Sequence, residues 1–274
     1  MASFVPTIFD WLADEKRHFE IYVDGPSLPA VGVPSNLLLM RSQWGHLRKF
    51  AHPLTALEAA WQSKQPAPDV IYCEPLYNDF ATVLGLHGDC NHPPLPVAFG
   101  ESFLKRVYGI LTSNPSKWQR TILVVCYDEH GGFFDHVAPP AMPYAPPDGA
   151  DWQDASSFAT LGVRIPGLIV SPLVEPRSVY KGLLDHTSIL QLIIERWGDP
   201  VDLNAFGDAA RRKNMGHVQS LSAVLTRSTP RLDDILGQIP DPPPPAGTSI
   251  QPPLTDTGRM FQAASSEFGR TPAA

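Results

Sequence analysis

Cysteine is scarce in this chain, and the basic excess expected of a nucleic-acid binder is absent. The 274 residues contain three cysteines, Cys73, Cys90 and Cys126. Their spacing gives neither a CxxC pair nor a small disulfide scaffold, and an odd count fits a reducing compartment better than a secreted one. Lysine and arginine number 21 against 28 acids, for a net charge of −7 and a pI near 5.7. A surface with that balance does not gather a phosphate backbone, so nucleic acid is excluded as an expected partner. No apolar run approaches the roughly 20 residues of a membrane span, so no transmembrane segment is expected. The opening Met1-Ala-Ser-Phe-Val-Pro is not a basic stretch followed by an apolar one, and charged residues follow from Asp14 to Arg17. The chain therefore reads as cytoplasmic as written, a secreted or periplasmic location requiring a signal on an upstream segment. No Gly-x-Ser-x-Gly elbow is found, which argues against a serine hydrolase.

What is present is a globular composition, 43% hydrophobic with a mean hydropathy of −0.11, long enough for a sizeable core. Thirty prolines are roughly twice the average usage. Pro139-Pro140, Pro143 and Pro146-Pro147 mark an irregular loop, and Pro242 to Pro245 mark an extended segment. The division expected is one α/β domain over residues 1–236 and a Pro-rich extended tail over 237–274.

Periodicity predicts a helix over 7–18, a strand over Phe19 to Val23, helices over 37–50 and 56–63, a buried strand over 69–73 and a helix over 99–112. Residues 121–127, apolar almost throughout, read as the central strand of a parallel sheet. Residues 163–170 read as a further buried strand, interrupted only by Pro166. A helix over 186–197 places Ile189, Leu192, Ile193 and Trp197 on its apolar face, with Asp185 or Thr187 as its cap. Strands alternating with helices predict an α/β fold with a mainly parallel sheet flanked by helices. The three cysteines, in or beside apolar segments, read as buried core thiols. His46, His52, His87 and His217 have no partner legible in the sequence.

The chemistry concentrates in Tyr127-Asp128-Glu129-His130-Gly131-Gly132, directly after the 121–127 strand. Ligands in open α/β sheets sit beyond the carboxyl ends of strands, and glycines there let the backbone turn sharply. Two neighbouring carboxylates at such a lip, with imidazole beside them, suit a divalent cation. Phe133-Phe134, Asp135-His136 and Pro139-Pro140 complete a string too particular for a generic loop.

Residues 121–140 resemble the bacterial phosphoesterase family that includes phosphatidylcholine-hydrolysing phospholipases C and an acid phosphatase, within the alkaline-phosphatase superfamily. Tyr72-Cys73-Glu74-Pro75, Asn78-Asp79, Asn91-His92-Pro93-Pro94, Leu161 to Pro166, Val170-Ser171-Pro172 and Asp185-His186-Thr187-Ser188 agree with it in order, so the resemblance covers roughly 7–200. It implies an alkaline-phosphatase-like fold and a metal-dependent hydrolase of phosphoric esters, the substrate being a small phosphomonoester or a phospholipid headgroup ester. It also implies Asp128 and Glu129 as ligands of a divalent metal ion, His92 at the phosphate or metal, and His186 at the position of a late metal-site histidine, the alternative being that His186 only caps its helix. Asp89 is a further candidate ligand or turn residue. Asp135 and His136 either orient the loop behind the ligands or form a buried ion pair. Arg164 is expected to support these loops, and His130 to lie near the site.

The family pattern also has an upstream Glu-Asn pair, Ser-Phe-Asp-His-Tyr and a serine or threonine nucleophile, none of which is found in this sequence. The expectation is a chain lacking the first strand and its helices, with an open sheet edge that favours self-association. The alternative function is a catalytically impaired homologue that binds without turnover.

Overall fold

The computed structural model describes residues 7–24, 41–77, 88–89, 91–93, 96–141, 160–199, 218–232, 240, 259–260, 263 and 267. Cys90, Asn78-Asp79, the start of the helix expected over 37–50, most of the Pro-rich loop, His87, His217 and nearly all of the tail lie outside them. The chain divides into two compact units, residues 9–118 with 233–274, and residues 1–8 with 119–232.

In the first of these, α1 (Ile8–Asp14) buries Phe9, Trp11 and Leu12. It stops well short of residue 18 because Lys16 adopts a φ of +56°. Arg17 N–H donates to the Leu12 carbonyl at 2.8 Å and Lys16 N–H to that of Ala13 at 3.1 Å. These paired bonds close a helix through a left-handed residue, a place normally given to glycine. A lysine there carries roughly 1–2 kcal/mol of local strain.

β1 (Phe19–Val23) follows, then a 3₁₀ turn (Arg41–Gln43), α2 (Trp44–Phe50), β2 (Ala51–Pro53), α3 (Thr55–Gln62) and β3 (Val70–Glu74). The sheet order is β2-β1-β3 with both pairings parallel, Phe19 opposite Val70 and Ile21 opposite Ala51. Phe19, Ile21, Tyr22 and Val23 are all buried, so β1 is covered on both faces, as a central parallel strand must be. That role belongs to β1 and not to residues 121–127. Phe19 stacks against Phe9 at 5.6 Å and Phe50 at 4.3 Å. α4 (Ala98–Thr112) buries Phe103, Val107 and Leu111 at four-residue spacing. The Trp61 indole N–H donates to the Leu111 carbonyl at 2.9 Å and ties α3 to α4. Each fully buried side chain of this core contributes about 1.5–3 kcal/mol. A short α5 (Pro115–Trp118) closes the unit.

In the second unit, β4 (Leu123–Cys126) pairs antiparallel with β5 (Gly167–Val170), Leu123 opposite Val170 and Cys126 opposite Gly167. This corrects the expectation of a buried, parallel strand over 121–127. Leu123 to Val125 are only half-buried, and Cys126 and Leu168 are exposed. An apolar run reports low polarity and says nothing about the direction of its partner. The strand expected over 163–170 is cut to four residues because Pro166 has no N–H for a ladder. Cys126 ends this exposed pair and is not a core thiol, whereas Cys73 in β3 is half-buried.

α6 (Thr187–Trp197) buries Ser188, Gln191 and Ile194, a row displaced from the apolar face expected. It packs on a 3₁₀ turn (Leu221–Val224), beside which Val218 is buried with Leu221 and Val224. Glu195 holds that rotation by accepting from Ser220 at 2.6 Å and Ser222 at 2.8 Å. Among the described residues no helix is long and apolar enough to cross a membrane.

Candidate active site

The carboxyl end of β4 leads through Tyr127 into Asp128 and Glu129, both exposed. The chain then turns at Gly131 (φ +72°) and Gly132 (φ +74°), left-handed conformations that a side chain would strain. The turn is held from within. Gly131 N–H donates to Glu129 Oε2 at 2.6 Å, and Glu129 N–H to Asp128 Oδ1 at 3.1 Å. His130 Nδ1 lies 3.6 Å from the same Glu129 oxygen. An imidazole is therefore within reach of the acidic pair, and it comes from the adjacent residue.

His186 reaches the same strand end from the start of α6. Its Nε2 lies 2.9 Å from the Tyr127 carbonyl, the residue before Asp128. Asp185 sets its position by capping the helix, with Oδ1 accepting from Thr187 N–H at 2.8 Å and Thr187 Oγ1 at 2.6 Å. The Cys126 side chain, the Tyr127 carbonyl and the Asp185 charge push the imidazole up to about 9 against the opposing effect of burial. A ring in that state is a cation at neutral pH. Such a ring can donate to a phosphoryl oxygen, and it would release its proton on taking a metal ion.

Further along the loop, Asp135 is gripped by both arms of Arg164, Nε to Oδ2 and Nη2 to Oδ1, each at 2.7 Å. Val137 N–H adds a third bond at 3.0 Å. The Arg164 guanidinium, with that backbone donor, holds the Asp135 carboxyl well below the usual carboxylate range. His136 is exposed, 3.6 Å from Asp135. The partner of Asp135 is thus Arg164, which fastens the Asp128 loop to the segment leading into β5. Phe133 and Phe134 stand out from this loop, 66% and 93% exposed.

Asp89 and His92 belong to the first unit. Burial pushes the Asp89 carboxyl up to about 6, and its Oδ2 lies 4.0 Å from Arg106 Nη2. Its backbone N–H donates to the Leu76 carbonyl at 2.7 Å. His92 is exposed on the same loop.

The donors at the β4 end suit a divalent cation in kind, being hard carboxylate oxygens with imidazole nearby. As a set they are incomplete, for among the described residues no three of His, Cys, Asp and Glu converge as a metal site would require. Sequence reasoning had given no role at this end to Cys126, the neighbour of His186. Sixty positions separate the two, and no spacing rule links them.

Comparison with known proteins bears on the same residues. The chain is 41% identical over 120 residues to Phospholipase C A of Mycobacterium tuberculosis (strain ATCC 25618 / H37Rv), covering 40% of this chain and 23% of that protein. It is 39% identical over 126 residues to a Non-hemolytic phospholipase C of Burkholderia pseudomallei, 42% of this chain and 18% of the relative. It is 36% identical over 175 residues to Non-specific phospholipase C6 of Arabidopsis thaliana, 63% of this chain and 32% of the relative. The chain thus matches a third or less of the length of these relatives. The family model described as Phosphoesterase family matches residues 2–200, a span that holds the acidic pair, both histidines and the Asp135–Arg164 clamp, and the chain belongs to that family.

Proposed function

We propose that this chain carries part of the active site of a metal-dependent phosphoric ester hydrolase of the phospholipase C type, on an alkaline-phosphatase-like scaffold. The observation that carries the reading is the acidic pair Asp128 and Glu129 at the end of β4, with His186 Nε2 on the carbonyl of Tyr127 just before them, in a chain of the Phosphoesterase family. Asp128 and Glu129 would hold a divalent ion, which when bound draws charge from the phosphoryl oxygens. His186 offers a positive charge at the Tyr127 carbonyl just before them. Asp135 and Arg164 keep the acidic loop in place. The exposed Phe133 and Phe134 offer an apolar surface next to the acids, which favours a phospholipid headgroup ester over a small phosphomonoester. The names of the relatives point the same way. No nucleophile is assigned.

Hydrolysis of p-nitrophenyl phosphate and of a choline-phosphate ester is measured on the folded chain with and without divalent metal. Metal-dependent release of product is expected, faster on the choline-phosphate ester, with loss of at least about a hundredfold in Asp128→Asn. Turnover unaffected by that substitution would remove the acidic pair from the mechanism. A folded chain inert under every metal would leave the binding homologue as the correct reading.

A further inference from the structure

The first unit carries a feature that the hydrolase reading does not use. A cleft of about 530 Å³ opens between the end of α1 and α2. Lys16, Arg17, His18, His46 and Lys49 line it together with Phe50, and among its lining residues there is no carboxylate. The chain as a whole has more acids than bases, so this grouping runs against the overall charge. The acids that meet these two histidines are not among the lining residues, Asp69 Oδ2 accepting from the His18 backbone N–H at 3.2 Å. Asp10 Oδ1 lies 3.0 Å from His46 Nε2, and Glu20 Oε1 lies 3.3 Å from His18 Nε2. Each fixes the ring it meets. Asp14 and Glu15 are exposed and take no part in the lining.

Lys16 supplies a second, independent observation. It holds a left-handed conformation where glycine would be unstrained, and the side chain so retained faces the cleft. We propose that this cleft binds a small anion bearing a phosphate monoester, with Lys16, Arg17 and Lys49 meeting its charge and the rings of His18 and His46 meeting its oxygens. The volume fits a small phosphorylated molecule. The same chemistry is offered by a soluble phosphate and by the headgroup of a phosphatidic acid. The proposal is independent of the reaction assigned to Asp128.

Inorganic phosphate is titrated calorimetrically into the metal-free full chain in EDTA, and the chain is sedimented with phosphatidylcholine vesicles with and without phosphatidic acid. Saturable phosphate binding is expected, about tenfold or more weaker in the Lys16→Gln, Lys49→Gln double variant and unchanged in Asp128→Asn. Binding of free phosphate identifies a soluble ligand. Sedimentation with phosphatidic acid vesicles alone identifies a lipid headgroup. Binding to neither, binding untouched by the double substitution, or binding lost in Asp128→Asn overturns the proposal. Lys16→Gly adds a test with opposed signs: melting temperature rises as strain is relieved while phosphate affinity falls. A lysine that merely complements the carboxyl end of α1 would leave phosphate binding untouched. Should the variants misfold, acetylation of the wild-type chain decides. Phosphate must slow modification of Lys16 and Lys49 relative to Lys64 and Lys181, and equal slowing refutes the site.

Discussion

His186 is surrounded by groups that favour its protonated form. The Cys126 side chain comes first, then the Tyr127 carbonyl and the Asp185 charge, and together they outweigh burial. Because the folded value lies near 9 and the ordinary value near 6.5, the stability this residue adds is fully present below about pH 6.5. It is lost as pH climbs through about 9. An NMR titration of the imidazole is expected to show a midpoint close to 9, moving down towards the ordinary value in Cys126→Ala. A wild-type midpoint near 6.5 would take away both the linkage and the cationic role assigned to this ring. If hydrolysis depends on the imidazolium, its rate declines on the alkaline side of the same midpoint.

At the scale of elements, the loop that carries His92 lies closely against a helix of its own unit. Gly100 in α4 allows the segment bearing Asp89, Asn91 and His92 to rest on the helix. A Cβ at Gly100 would collide with Asn91 Oδ1 and Cγ and come within 2.9 Å of the Asp89 carbonyl. That backbone is also anchored by the Asp89 N–H bond to Leu76, so it has little room to yield. Alanine is the better helix former by about 1 kcal/mol, yet the clash should outweigh it. Gly100→Ala is expected to destabilise by about 1–3 kcal/mol in urea unfolding. A gain in stability would mean that the loop moves freely and does not hold His92 in one place.

The same scale explains what could be read in advance. β1, β3, α3 and α4 fall within one or two residues of where periodicity puts them, because burial of one face or of both leaves a repeating pattern. The antiparallel pairing of β4 left no such trace, since partner direction is not written in an apolar run. α1 ends short of residue 18 at a left-handed lysine, and no glycine in the sequence marks that stop. At the site, the acidic pair stood out as a contiguous string. Arg164 and Asp135 are 29 positions apart, and their two-armed contact had no local pattern to announce it.

For the molecule as a whole, the question is whether a chain matching a third or less of its relatives' length can retain a cation. An ion that binds only the folded state raises stability by RT ln(1 + [M]/Kd), about 1.4 kcal/mol at tenfold excess over Kd. Two carboxylates with no converging third ligand among the described residues place Kd in the range of weak sites, roughly 10⁻⁴–10⁻³ M. Millimolar Mn²⁺ or Ca²⁺ is therefore expected to raise the melting temperature by a few degrees, and the rise should vanish in Asp128→Asn, Glu129→Gln. Ionic strength must be held constant, because any divalent ion also screens a net charge of −7. A rise that survives the double substitution would be screening or a site elsewhere. Saturation at micromolar metal would require ligands beyond these two, and His130, whose Nδ1 lies 3.6 Å from Glu129 Oε2, is the imidazole already at hand. No rise with any divalent ion, in a chain that still melts cooperatively, would leave the acidic pair as a turn of a Phosphoesterase family chain without its ion.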